Sequence, residues 1–305
     1  AKNFISGQQV YFEQYGTTLT GIYKYSPAAL LFFIPLTILP EPVARFVYFL
    51  ILATVLAFTF LFLERFWKER LYPQDPPESS EKLLFISFLI TALHFHRELE
   101  LGNVNLLLLL VLTTSLFGLI NQKQVFAGVL LGIAILFKPH FLVFLPWLIF
   151  RNKPRVLLVS IGVILAGLLI PSIFMGWQGN AALHGDWFTT MTQHNAGERM
   201  IENRNTLHFW LYFAGFKYMF PKPGAIFNYL VILLAGLIFL LFMIYNRRQM
   251  QNLPSPAKNQ YLMLEFFVLL ALIPNITFTD TEHFLLSLPL IMLVLLFWFK
   301  EKVPK

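Results

Sequence analysis

The sequence contains no cysteine. Disulfides and thiolate metal sites are excluded, and the redox compartment cannot be read from cysteine usage. Charge is scarce too: Asp, Glu, Lys and Arg make up 13% of the 305 residues, against about 25% in a soluble globular domain. No glycine-rich phosphate loop and no paired-histidine zinc motif occurs, so the common soluble-enzyme signatures are missing. No internal repeat is visible. Strand-type alternation of polar and apolar residues is absent, which argues against a transmembrane β-barrel.

What fills the chain is apolar. Hydrophobic residues reach 57% and the mean hydropathy is +0.65. A water-soluble core cannot absorb that much apolar side chain, but a bilayer can. The net charge of +7 raises nucleic acid as a partner. Basic loops that fix membrane topology explain the same charge more simply, so no nucleic acid is expected.

A spanning helix needs roughly 17–25 mostly apolar residues. Residues 156–176 and 225–245 meet this with no charge, and 42–63 with only Arg45. Residues 104–120, 261–279 and 284–299 are slightly shorter or carry a polar interruption, and 83–96 is shorter still. Two regions look broken. Residues 27–39 end in Pro40-Glu41-Pro42 and are too short to span. Residues 125–150 are interrupted by Lys138-Pro139-His140, as two half-helices meeting at a polar tip would be. Irregular backbone at membrane depth survives only when buried in protein or lining a wet cavity. The expected architecture is an all-α, polytopic membrane bundle of about 8–10 spanning or half-spanning helices, in one domain over residues 1–305.

Loop charge gives the orientation. Segments 64–82, 121–124, 151–155, 246–260 and 300–305 hold fourteen Lys and Arg; the longer opposite segments hold eight. The basic side is expected to be cytoplasmic. Residues 1–25 and 177–224 are then the long external loops, and any chemistry lies on the external face.

Five groups of residues on that face stand out. Tyr23-Lys24-Tyr25-Ser26-Pro27 reads as an aromatic belt with an anchor, or as a lid over a lipid-linked substrate. Gly102-Asn103-Val104-Asn105 reads as a helix start with Asn103 as its cap, and also as an amide-rich wall. Gly128 and Gly132 permit close helix contact. Lys138 follows them as a cation at an apolar boundary, for which phosphate is a natural partner. Asp280, Glu282 and His283 form a late acidic turn able to handle protons or sugar hydroxyls, or a plain solvated turn. Arg204 and Asn205, ahead of His208-Phe209-Trp210, suit carbohydrate or an interfacial helix.

In order, Tyr-x-Tyr-x-Pro at Tyr23, Gly-x-x-Asn at Gly102, Ala-Gly-x-x-x-Gly-x-Ala-x-x-x-Lys-Pro from Ala127 to Pro139, Asn-x-Thr and a late Glu-His resemble glycosyltransferase family 87. That family belongs to the GT-C superfamily of polytopic membrane glycosyltransferases. The resemblance runs from about Gly7 to Phe299, and 127–139 is its most specific stretch.

The resemblance implies a polyprenyl-phosphate sugar donor, mannose or another hexose, and a lipid- or glycan-linked acceptor. It implies donor-phosphate binding by Lys138, His140 and Arg204. Substrate contacts follow for Tyr23, Tyr25, Asn103, Asn105, Asn205 and His283. No cofactor or metal is called for. Such enzymes use an acidic base in the first external loop. Here the chain opens on what looks like the stretch after that motif. The first helix and the expected Asp are therefore anticipated upstream of Ala1. Within the chain, Asp280 and Glu282 are the candidates for the base. The competing readings are a multi-pass transporter or lipid flippase, and a structural membrane subunit. Paired broken segments would favour the transporter, and 125–150 has no clear partner.

Overall fold

The structure is a computed structural model, described for residues 1–15, 21–71, 77–194, 206–220, 224–276 and 281–301. Thirteen helices carry the described residues: α1 (Lys2–Ile5), α2 (Pro27–Phe33), α3 (Glu41–Leu71), α4 (Pro77–Leu101), α5 (Asn105–Ile120), α6 (Gln124–Phe137), α7 (Phe144–Phe150), α8 (Pro154–Leu169), α9 (Ser172–His194), α10 (Leu207–Ala214), α11 (Ala225–Gln249), α12 (Ser255–Ile276) and α13 (Leu288–Glu301). Among these residues the only strands are two-residue β1 (Gln14–Tyr15) and β2 (Gly21–Ile22), paired antiparallel with Gln14 opposite Ile22. The chain is an all-α polytopic membrane protein.

Four helical stretches are long and apolar enough to cross a bilayer: Glu41–Arg70, Ile226–Gln249, Ala257–Ile276 and Glu282–Phe299. Two bent pairs raise the number to six if each is one span: Glu81–Leu101 with Asn105–Ile120, bent by 115°, and Pro154–Leu169 with Ser172–Thr192, bent by 88°. The second bend corrects the expected span over 156–176. Pro171 has no N–H to continue the ladder, so α8 stops at Leu169 and the chain turns a corner. Pro27–Ile38 is a short apolar helix, α2 continued by a 3-10 turn over Ile34–Ile38. At α-helical and 3-10 rises it extends about 20 Å, short of the roughly 30 Å hydrocarbon core.

The chain forms two compact units: Ala1–Leu50 with Thr114–Ala196, and Ile51–Thr113 with Gly197–Lys305.

In the first unit, α6 and α8 lie side by side because three positions lack a side chain. A Cβ on Gly128 would stand 2.7 Å from the Val159 Cβ and 2.8 Å from the Val156 carbonyl. One on Gly132 would stand 2.7 Å from the Val163 Cβ, and Gly167 in turn receives the Leu136 side chain. Contacts advance in the same direction along both helices, so they run parallel. Buried Ser160 joins them, its Oγ donating to the Gly128 carbonyl at 3.0 Å and to Val156 at 2.9 Å. α6 ends where expected: Lys138 is extended (φ −135, ψ 106), followed by a 3-10 turn over Pro139–Val143 and then α7. Because α6 and α8 are parallel, Lys138 and Pro171 lie at the same end of this unit.

In the second unit, an apolar core of Phe66, Trp67, Phe266 and Phe267 packs edge-on. A polar joint links α11 to α12: Asn246 Nδ2 donates to Glu265 Oε1 at 2.9 Å, with both residues buried.

Candidate functional site

Chemistry-bearing side chains gather at two places, one in each unit.

In the first unit they gather at the broken end of α6. Pro139 cannot donate to the Ile135 carbonyl, and the following turn leaves α6 without its last helical bonds. The Ser26 hydroxyl donates to the Leu136 carbonyl instead. This ties the strap 23–26 across the helix end. Two further bonds fix the strap from outside. Tyr11 Oη donates to the Tyr25 carbonyl at 2.8 Å, and Trp187 Nε1 of α9 donates to the Lys24 carbonyl at 3.0 Å. The strap thus sets the Tyr25 ring beside Lys138, whose Nζ is 5.6 Å from the ring centroid. Lys138 is only 8% exposed, and a ring face is a low-cost neighbour for a desolvated ammonium.

Tyr11, Tyr23 and Tyr25 form an aromatic row, with centroids 5.8 Å and 5.6 Å apart. Burial pushes the phenols of Tyr11 and Tyr23 well above their usual value, and Asp186 adds to the effect at Tyr11. Both stay protonated donors. His140 sits half-buried in the turn after Lys138. Tyr23, Tyr25 and Lys138 therefore come together, and His140 follows in the same turn.

In the second unit the centre is a buried carboxylate that sequence reasoning did not single out. Glu98, in the last turn of α4, is 0% exposed. Its Oε1 accepts from the Leu106 N–H at 2.9 Å and its Oε2 from Asn105 Nδ2 at 2.8 Å. Glu98 thereby caps α5 across the 115° bend, and its own carbonyl receives the Asn103 N–H at 3.2 Å. A carboxylate at a helix N-terminus is favoured by the exposed N–H groups and by the helix dipole.

Asn103 Nδ2 reaches the late turn, donating to Glu282 Oε1 at 2.8 Å. Glu282 is 2% exposed, and Arg97 Nε stands 3.6 Å from its Oε2. His94 packs against Phe284, with ring centroids 5.9 Å apart. Asn103, Asn105, Glu282 and His283 thus belong to one neighbourhood, with Asn105 turned inward onto Glu98. Nothing local in the sequence marks Glu98, whose partners meet it only across the bend.

Arg204, Asn205 and Asp280 lie outside the described residues. Among the described residues no group of three or more His, Asp or Glu side chains stands together as a metal site.

The model of glycosyltransferase family 87 matches residues 23–299. The chain belongs to glycosyltransferase family 87. No curated protein and no solved structure matches it significantly. The family match begins at Tyr23 in the strap and runs past Glu282, so it takes in both gatherings except Tyr11. A family 87 chain with several bilayer-length helices is a multi-pass membrane glycosyltransferase, and its substrates are a sugar donor and an acceptor. The transporter reading gives way to this one.

Proposed function

We propose that this family 87 protein is a GT-C enzyme moving a hexose, with mannose favoured, from a polyprenyl-phosphate donor to a lipid- or glycan-linked acceptor on the external face. The observation that carries the reading is Lys138. A nearly buried ammonium stands at the break of an apolar helix, with an aromatic ring beside it. That position suits a phosphate attached to an apolar chain better than it suits a soluble nucleotide.

In the reaction, the acceptor hydroxyl loses its proton to a carboxylate as it attacks the anomeric carbon. The bond from that carbon to the phosphate oxygen breaks, and the polyprenyl phosphate leaves with the electron pair. Lys138 and His140 serve the departing phosphate, Lys138 by charge and His140 by hydrogen bonding. Arg204 is the further candidate cation. Asp280 and Glu282 are the candidates for the base within the chain. Glu282 has one oxygen held by Asn103, which leaves the carboxylate oriented. Tyr23, Tyr25, Asn205 and His283 supply donors and stacking surfaces for the sugars.

The test is donor choice. Purified full-length protein in lipid vesicles is offered radiolabelled polyprenyl-phosphate mannose, polyprenyl-phosphate glucose or a nucleotide sugar, with membrane glycolipids as acceptor. Transfer from a lipid donor alone is the expected result. Transfer from the nucleotide sugar alone would overturn the donor assignment.

A further inference from the structure

Helix α9 has the reverse of the polarity expected of a helix facing water. Ile173 and Phe174 face outward before the non-helical Gly176 (φ 70, ψ 173), and after it Trp177, Ala181, Ala182 and Phe188 fall on one side at helical spacing. The four large side chains are 79%, 60%, 70% and 68% exposed. Gln178 and Thr192 are the polar interruptions of that side.

The polar groups turn inward. Asn180 Nδ2 donates to the Leu168 carbonyl at 2.9 Å and to Ser172 Oγ at 2.8 Å, closing the end of α8. His184 Nδ1 bonds the Asn180 carbonyl, and Trp187 Nε1 holds the strap at Lys24. Leu183 and Trp187 pack with Tyr11, Tyr23 and Leu30.

Direction decides what covers the apolar side. α9 leaves α8 at 88°. α8 is charge-free from Val156 to Leu169, about 21 Å of helix that starts at the basic segment 151–155, so it reaches into the hydrocarbon to within about 10 Å of the opposite interface. A helix at right angles to it runs along the membrane plane. α9 carries Asp186 and two histidines, which makes it a poor span. Large exposed aliphatic and aromatic side chains on an in-plane helix belong in the acyl boundary.

We propose that α9 is an in-plane interfacial helix. Its outer side is seated in the lipid of one leaflet, and its inner side carries the strap 23–26 that places Tyr25 against Lys138. The bilayer surface thereby sets the height of the strap. This inference needs only the fold and the membrane, and stands apart from the choice of sugar donor.

The absence of cysteine makes the test clean. Trp177, Ala181, Phe188 and Thr192 are each replaced by Cys in the full chain, labelled with a nitroxide and reconstituted in phosphatidylcholine vesicles. Relaxation by oxygen and by a water-soluble nickel chelate then gives the depth of each label. Oxygen is expected to dominate at all four positions, at one depth about 5–10 Å inside the boundary. A spanning helix would instead change depth by about 1.5 Å per residue, or roughly 22 Å from 177 to 192. A graded depth, dominance of nickel, or shielding from both reagents would each overturn the assignment. The carrying role has its own readout. Trp187→Phe deletes the N–H but keeps a ring, and a nitroxide at Lys24→Cys should gain mobility while α9 keeps its depth. Unchanged mobility at position 24 would remove the strap from the proposal.

Discussion

Lys138 is the residue on which the donor assignment turns. Its cost in an apolar setting is offset by the Tyr25 face, worth about 0.5–2 kcal/mol, and in the proposed reaction by phosphate. Lys138→Met keeps the length and removes the charge. The expected result is a folded, inserted protein whose transfer rate falls roughly 10²–10³-fold. Activity within about threefold of wild type would mean that the ammonium only snorkels to the interface. The phosphate role would then pass to His140 or Arg204. Glu98 makes a contrasting case, because its partners are N–H groups of its own fold. Glu98→Ala leaves the Leu106 N–H and the Asn105 amide without their acceptor in a buried setting. Each such group costs about 1–3 kcal/mol. Glu98→Gln keeps an acceptor oxygen. Thermal unfolding in detergent should show a clearly lower midpoint for Glu98→Ala and a smaller drop for Glu98→Gln. Equal midpoints for all three proteins would show that the cap contributes nothing.

At the scale of elements, the close pair α6–α8 rests on missing side chains. Gly132→Leu would drive a branched side chain into Val163 and the Ser160 carbonyl, which lie under 3.0 Å from even a Cβ. The helices must separate, and the Ser160 bond to Gly128 is lost with them. Reduced yield of inserted, monodisperse protein is expected, with Gly132→Ala milder than Gly132→Leu. Wild-type behaviour of Gly132→Leu in size-exclusion chromatography would disprove the contact. This element was readable in advance, since Gly128-x-x-x-Gly132 and Lys138-Pro139 announce a tight pair and a break. The corner at Pro171 was not read, because 156–176 is uniformly apolar and nothing but one proline marks it. The Glu98 cap was hidden for a similar reason. A carboxylate seven residues before its amide partner carries no local signature, and the pairing exists only once the chain turns through 115°. The bond from Asn103 to Glu282 was hidden in the same way, because its acceptor is 179 residues away.

For the whole molecule, the open quantity is which way it faces, and charge gives a definite expectation. Segments 121–124 and 151–155 flank the lower ends of the parallel pair α6 and α8. They hold four Lys and Arg in nine residues. Segment 246–260 adds Arg247, Arg248 and Lys258, and the end of α3 adds Arg65, Lys68 and Arg70. Short basic loops stay on the cytoplasmic side, so Lys138, the strap and α9 are expected at the outer surface. The cysteine-free chain allows a direct check in intact cells. Lys217→Cys, in the segment after α10, should react with a membrane-impermeant maleimide added outside. Gln251→Cys, in the basic turn between α11 and α12, should react only after the cells are opened. The reverse pattern would overturn the charge argument, and the external placement of the chemistry would lose its support. Labelling of both positions from outside would contradict α11 as a span. That outcome is not expected for a 24-residue apolar helix carrying no charge before Arg247.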